Sequence, residues 1–220
     1  MSKLPYLGRA PAALRRHRTV LPPGLKLAGN TVGLNMYRAD VLGLVPLSGS
    51  YLFINIDGLD DADGTKGRWM AQGWYGPEPV PTAFRTQLGY PVELGVTRLE
   101  HEGNRIHAIL NRGGDTLIDA TIALKEGGPK PVGAFLNYPV SRQNLSAAAA
   151  SSAKSNFAVN RIPFSGELTA ASPVSLEFHF GNSDAVKALQ PKRLLDAFSV
   201  KGSGFLRGPD LSPRELAALR

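Results

Sequence analysis

Residues 88–124 read LGYPVELGVTRLEHEGNRIHAILNRGGDTLIDATIAL, and this stretch decides the fold. Val92–Glu100, Arg105–Arg112 and Thr116–Leu124 are strand-length runs divided by two tight breaks. The breaks, Glu102-Gly103-Asn104 and Gly113-Gly114-Asp115, hold the Gly and Asn residues that hairpin turns require. Three strands joined by two such turns form an antiparallel meander. Just ahead, Pro81–Leu88 predicts a short helix, with Pro81 in the first turn and Gly89 past the last.

Working outward, Thr31–Tyr37 alternates Val32, Leu34 and Met36 against Gly33, Asn35 and Tyr37. Ser50–Ile56 alternates Leu52, Ile54 and Ile56 against Tyr51, Phe53 and Asn55. That period of two is the signature of half-buried strands. Val41–Pro46 reads as a short strand, Asp57–Gly67 as an acidic loop, and Arg68–Tyr75 as a strand pairing back. Beyond the meander, Val132–Val140, Phe157–Leu168, Val174–Gly181 and Leu194–Leu206 are strand candidates. Ser141–Ser155 has the serine- and alanine-rich composition of an exposed helix or loop. Short helices are expected near 12–20 and 212–219, the latter opening on the capping pattern Ser212-Pro213-Arg214-Glu215. Residues 1–11, with Pro5, Gly8 and Pro11, read as a loose N-terminal arm, and 12–220 as one domain. Many short strands and few helices mean a mainly β chain, either barrel or sandwich.

The chain has 220 residues, enough to bury a core without a disulfide or a structural metal, and it contains no cysteine. Thiolate chemistry and Cys-ligated zinc are therefore excluded. Lys and Arg outnumber Asp and Glu by seven, a balance compatible with an anionic ligand, nucleic acid or an acidic partner, but the basic residues are scattered and read as a solvated basic surface. The tight cluster Arg15-Arg16-His17-Arg18 has no interleaved aromatics, so no nucleic-acid partner is expected. The first twenty residues lack an apolar signal core, and no window is long and apolar enough for a membrane helix. The expectation is a soluble cytoplasmic protein with no membrane partner.

Within the deciding stretch, Tyr90-Pro91-Val92-Glu93-Leu94 resembles the Tyr/Phe-Pro-Lys-Lys-Leu turn of the acetoacetate decarboxylase family. Ala13-Leu14-Arg15 followed by Leu21-Pro22-Pro23-Gly24-Leu25 is similar to another family segment. So is Pro173-Val174-Ser175-Leu176-Glu177-Phe178 ahead of Leu189-Gln190-Pro191. The resemblance spans roughly residues 12–207 and implies an antiparallel conical β-barrel with an internal cavity, in which 12–220 is a single acetoacetate-decarboxylase-like domain. It also implies a homo-oligomer and a small-molecule ligand.

The family's chemistry is another matter. Its first lysine forms a Schiff base with the substrate, and the second helps depress the pKa of the first. A free lysine titrates near 10.4 and must be desolvated or placed beside a cation to act as a nucleophile. Val92 and Glu93 stand at those two positions. Valine forms no imine, and a carboxylate raises the pKa of a neighbouring amine. The family's arginine and glutamate find no match either: Arg9 and Asp40 are the nearest residues of like charge, with no motif around them.

The function so implied is binding of a small organic acid or polyketide-like metabolite without Schiff-base decarboxylation. The alternatives are a lyase, cyclase or hydratase with Glu93 as acid or base, and a noncatalytic scaffold. Glu93 is the candidate catalytic residue, expected at the cavity entrance; Tyr90, Val92, Trp74, Asn55 and Gln72 are the candidate ligand contacts. The competing reading for each is packing, or a solvated strand face. No cofactor and no metal site are expected. His17, His101, His107 and His179 lack metal-ligand spacing, and the acidic loop Asp57–Gly64 puts Leu59 at the first EF-hand ligand position.

Overall fold

The alternation in the sequence becomes one large, strongly curled sheet. The computed structural model describes residues 2–11, 26–39, 46–60, 65–88, 90–131, 140–143, 157–160, 164–181, 185–191 and 193–204. Thirteen strands lie within these residues. They are β1 Ser2–Pro11, β2 Lys26–Ala39, β3 Leu47–Asp60, β4 Thr65–Gly76, β5 Val92–Leu94, β6 Val96–Glu102 and β7 Arg105–Arg112. There follow β8 Asp115–Leu124, β9 Lys130–Pro131, β10 Val140–Gln143, β11 Phe157–Asn160, β12 Phe164–Phe178 and β13 Ala197–Gly204. One α-helix, α1 Val80–Leu88, and a short 3-10 helix, Ala185–Leu189, complete the described elements.

Strand order is β11-β10-β4-β3-β2-β1-β13-β12-β8-β7-β6, with β5 beside β4 and β9 beside β12. Pairing is antiparallel except where β5 and β10 run parallel to β4. The meander forms as its turns require: β6 pairs with β7 and β7 with β8, across turns where Gly103 and Gly113 take positive φ. β6 ends the strand path yet packs across β2, β3 and β4, so the sheet folds back on itself. The result is the mainly antiparallel, barrel-like architecture that the strand spacing and the resemblance imply.

Between the folded-back layers lies the main core. Val32, Leu34, Met36, Leu52, Ile54 and Trp74 face Ile106, Leu110, Ile118, Ala120 and Ile122, all buried. Each fully buried aliphatic side chain of this kind contributes about 1.5–3 kcal/mol of transfer free energy. The alternation of β2 and β3 thus selects one apolar face for the core and turns Asn35, Tyr37, Tyr51 and Phe53 to the other side.

Several expectations are corrected. Residues 1–11 are not a loose arm: Ser2–Pro11 is a strand held between β13 and β2, with Leu4 opposite Val200 and Tyr6 opposite both Phe198 and Asn35. Its Gly and Pro content reads as loop because the pairing partners are remote in sequence. Gly8 falls at a register shift between Leu7 and Arg9, as expected of a glycine at a β-bulge. The acidic loop is shorter than 57–67, since β3 runs to Asp60 and β4 begins at Thr65. Ser141–Gln143 is part of β10 rather than of a helix or loop. Val92–Glu100 is divided at Gly95, so that β5 joins β4 while β6 joins β7. The expected helices near 12–20 and 212–219, the strand Val41–Pro46 apart from Pro46, and most of Val132–Val140 lie outside the described residues.

Candidate functional site

The turn that carries the resemblance is held at three successive residues. Tyr90 donates its backbone N–H to Phe84 O at 3.2 Å, closing the end of α1. Pro91 O accepts from Gly73 N at 2.8 Å, and Val92 O accepts from Arg85 Nη1 at 2.9 Å. β5 is thereby fixed alongside β4, with Val92 opposite Gly73 and Glu93 opposite Trp74. Val92 is buried, and a Cβ at Gly73 would stand 2.8 Å from its Cγ1. Gly73 therefore permits the close approach of this turn.

Val92 packs with Met70, Tyr75 and Tyr90, and Tyr37, Leu47, Tyr51, Val80 and Phe84 pack against them. This is the face of β2–β4 that looks away from the main core. A bulge places Tyr75 there: the register steps from Leu52↔Gln72 to Phe53↔Met70, so Met70 and Tyr75 share this face while Trp74 turns to the other. Phe53 continues the face, packed with Val200, Phe198 and Leu168 from β12 and β13. Arg68 is buried, with its guanidinium 4.5 Å above the Phe53 ring.

Polar groups form a connected layer in this aromatic setting. Asn35 Nδ2 donates to Tyr51 Oη at 2.9 Å. The Tyr75 and Tyr37 hydroxyls are hydrogen-bonded to one another, and the two rings meet edge-on at 6.1 Å. Gly49 makes that bond geometrically possible, for it stands opposite both tyrosines in the register. A Cβ there would lie 2.7 Å from the Tyr75 ring and 2.9 Å from the Tyr37 ring. Burial pushes both phenols well above their ordinary pKa, so each remains a neutral hydroxyl at physiological pH. Asn35 is buried and its Oδ1 has no partner among the described residues. Reversing the amide would satisfy Oδ1 from the Tyr51 hydroxyl and leave Nδ2 alone instead, so one end is unmet in either orientation.

The residues singled out in the sequence are divided by this geometry. Tyr90 and Val92 belong to the layer. Asn55 is half-buried opposite Arg68, on the same strand face as Tyr51 and Phe53. Trp74 is in the main core, stacked on Phe180 at 6.0 Å, on the opposite side of the sheet from Val92. Gln72 is half-buried and donates Nε2 to the carbonyl of Gly73 at 3.0 Å. Glu93 has half of its side chain exposed and pairs with Arg112 Nη1 at 3.1 Å, on the opposite strand face from the buried Val92. Strand alternation is the reason, since turning Val92 inward turns its neighbour outward. His107 joins Asp119 at 2.8 Å and Glu100 at 3.9 Å on the far face of the meander. No cluster of three or more His, Asp or Glu suited to a metal occurs among the described residues. No described helix is long and apolar enough to cross a membrane.

Tyr37, Tyr51, Tyr75 and Arg68 were not singled out from the sequence. The signal for two of them was present in the alternation, which puts Tyr37 and Tyr51 on the face shared with Asn35. Tyr75 was hidden by the β4 bulge, which reverses the parity of the strand.

As chemistry, the layer offers neutral hydroxyl donors, an amide with an unmet hydrogen-bonding end, one guanidinium and an apolar wall. Among the described residues it contains no amine.

Comparison with known proteins fixes the fold. No family model matches the chain, and no curated protein matches it by sequence. Solved structures do match. The acetoacetate decarboxylase of Legionella pneumophila superposes with a TM-score of 0.77 at 15% identity, covering 95% of this chain and 84% of that one. The enduracididine biosynthesis enzyme MppR, complexed with pyruvate, gives 0.68 at 15% identity over 93% of this chain and 88% of its own. An acetoacetate decarboxylase-like enzyme from Sphingomonas wittichii gives 0.62 at 14% identity, with coverages of 93% and 91%. The chain has an acetoacetate-decarboxylase-like fold.

Proposed function

We propose that this acetoacetate-decarboxylase-like barrel binds a small carboxylate- or carbonyl-bearing metabolite, of organic-acid or polyketide-like type, at the layer around Val92, and holds it without a Schiff base. The observation that carries the reading is the buried, unmet end of Asn35 within a tyrosine layer whose wall is Val92. An unpaired buried amide group costs about 1–3 kcal/mol, a cost that a ligand with a matching polar group removes. The phenols are suited to donating to a carbonyl or carboxylate oxygen. A small ligand is consistent with the pyruvate found with MppR and with its complex with the condensation product of pyruvate and imidazole 4-carboxaldehyde. Val92 can only contact such a ligand; it has no lone pair with which to attack it.

In a catalytic version of this reading, a lyase, cyclase or hydratase, proton transfer would fall to Tyr37 and Tyr75 rather than to Glu93. Phenols held neutral by burial serve better as acids and hydrogen-bond donors than as bases. The exposed ion pair of Glu93 with Arg112 leaves that carboxylate outside the layer.

The test uses pyruvate and acetoacetate as probes. Binding followed by calorimetry should be present in the wild type and weakened in Tyr37→Phe. Borohydride reduction in the presence of either probe should leave the protein mass unchanged. A reduced adduct mapped to a lysine would overturn the non-covalent reading, and absence of binding by both probes would remove the ligand class.

A further inference from the structure

On the opposite side of the β2–β4 layer, a cleft of about 510 Å³ opens where β6 crosses the strand ends. Its lining includes Arg38 of β2, Ser48 of β3, Pro77 after β4, and Val96, Arg98 and Leu99 of β6. That volume falls in the range of about 300–1,000 Å³ typical of small-molecule sites. One wall is firmly fixed. Ser50 Oγ and Thr97 Oγ1 share a buried hydrogen bond of 2.6 Å, and Thr97 N donates to Ser48 Oγ at 3.2 Å.

The donors are unusually uncommitted. Among the described residues, neither Arg38 nor Arg98 has a carboxylate within ion-pair distance. Ser48 accepts from the Thr97 backbone, so its own hydroxyl proton remains to be given. The carboxylate on the rim, Glu100, lies 3.9 Å from His107 Nδ1. Beside these donors are apolar surfaces, with Val96 nearly half exposed and Pro77 exposed. Arg38 and Arg98, both exposed on the lining, and the Ser48 hydroxyl beside an apolar wall suit a ligand with an anionic head and a short hydrocarbon body.

We infer that this cleft is a second binding site, for a small organic anion that joins a carboxylate to a short apolar chain. It stands apart from the layer around Val92. Arg38 and Ser48 share the strand face of Met36 and Ser50, which turns toward β6 and the core. Leu47 lines the cleft and also packs against the tyrosine layer, so the test must report on the two sites separately.

Hexanoate is the probe, hexanamide its uncharged counterpart, and amide chemical shifts of the full chain the readout. Hexanoate should shift Thr97, Arg98 and Leu99 in the millimolar range, and hexanamide should do so more weakly. The double variant Arg38→Gln, Arg98→Gln should weaken hexanoate binding at these amides by about tenfold or more. Its thermal midpoint should stay close to wild type, because the guanidinia it removes have no ion-pair partner among the described residues. Asn35→Leu, in the other layer, should leave this titration unchanged. The proposal is overturned if the double variant binds hexanoate as the wild type does, if hexanamide binds equally well, or if these amides do not respond. Loss of the response in Asn35→Leu alone would place the anion in the tyrosine layer, sinking this site and leaving the first reading intact.

Discussion

The two faces of the β2–β4 layer come from alternate residues of the same strands, yet they are different kinds of surface. Toward the meander, Val32, Leu34, Met36, Leu52 and Ile54 form a dry aliphatic packing, in which Trp74 Nε1 is the polar atom without a partner. Away from it, buried Asn35, Arg68 and Tyr75 and half-buried Tyr37 and Tyr51 place hydroxyls, an amide and a cation among aromatic rings. The first face is built to be filled. Each keeps a buried polar atom unmet among the described residues, but on the first it is a single indole N–H in an aliphatic core, whereas on the second it sits among hydroxyls and a guanidinium that a polar ligand could also meet. Stability should therefore depend mainly on the first face, and recognition of pyruvate or acetoacetate on the second.

The strongest way to break this comparison is a cavity on the core side. Leu110 is completely buried in the main cluster. Leu110→Ala should lower unfolding free energy by about 2–5 kcal/mol in denaturant titration. Pyruvate affinity should be little changed under conditions where the variant stays folded. Equal losses of stability and affinity would mean that the two faces do not divide the labour.

Alkaline titration reads the second face through its two phenols of raised pKa. Tyr37 and Tyr75 have raised folded pKa values, while the unfolded phenols ionise near 10.0. Above that pH the unfolded chain releases protons that the folded chain retains, so their stabilising contribution, complete below pH 10, is lost as pH rises. The slope approaches about 1.4 kcal/mol per pH unit for each phenol. Phenolate absorbance should show two tyrosines ionising only with unfolding. Tyr75→Phe should remove one of them.

Asn35→Leu sharpens the contrast further. It removes the unmet amide end at the expense of the bond to Tyr51, which keeps some exposure. Stability should stay level or rise by about 1 kcal/mol, while binding of pyruvate or acetoacetate weakens. A clear loss of stability would instead make Asn35 a structural residue.

The meander was legible because its information is local: two Gly-rich turns and strand-length runs specify their own pairing. β1 was not, because its partners are β2 and the distant β13 and its own composition suggests loop. The alternation of β2 and β3 showed which residues share a face, but not which face would be covered by the meander. That choice depends on β6 folding back, a tertiary event. Trp74, expected as a ligand contact, lies instead in the main core, and Tyr75 lines the tyrosine layer, for a smaller reason, the one-residue bulge in β4. That Val92 supplies no amine is a matter of side-chain chemistry and needs no structure.

Glu93 offers the smallest and sharpest test. Resemblance put two successive residues of the turn at a cavity, but a strand directs neighbours to opposite sides, so only one of them can point inward. Val92 takes the inward place and Glu93 pairs with Arg112 at the surface. An ion pair this exposed is worth about 0–1 kcal/mol after solvent screening. Glu93→Gln should therefore shift the thermal midpoint only slightly, with the difference shrinking further at high salt. Binding of pyruvate or acetoacetate should match the wild type. A loss of affinity without a loss of stability would return the carboxylate to the site and require β5 to rotate in the liganded state. Unchanged affinity beside a weakened Tyr37→Phe would leave recognition to the tyrosine layer.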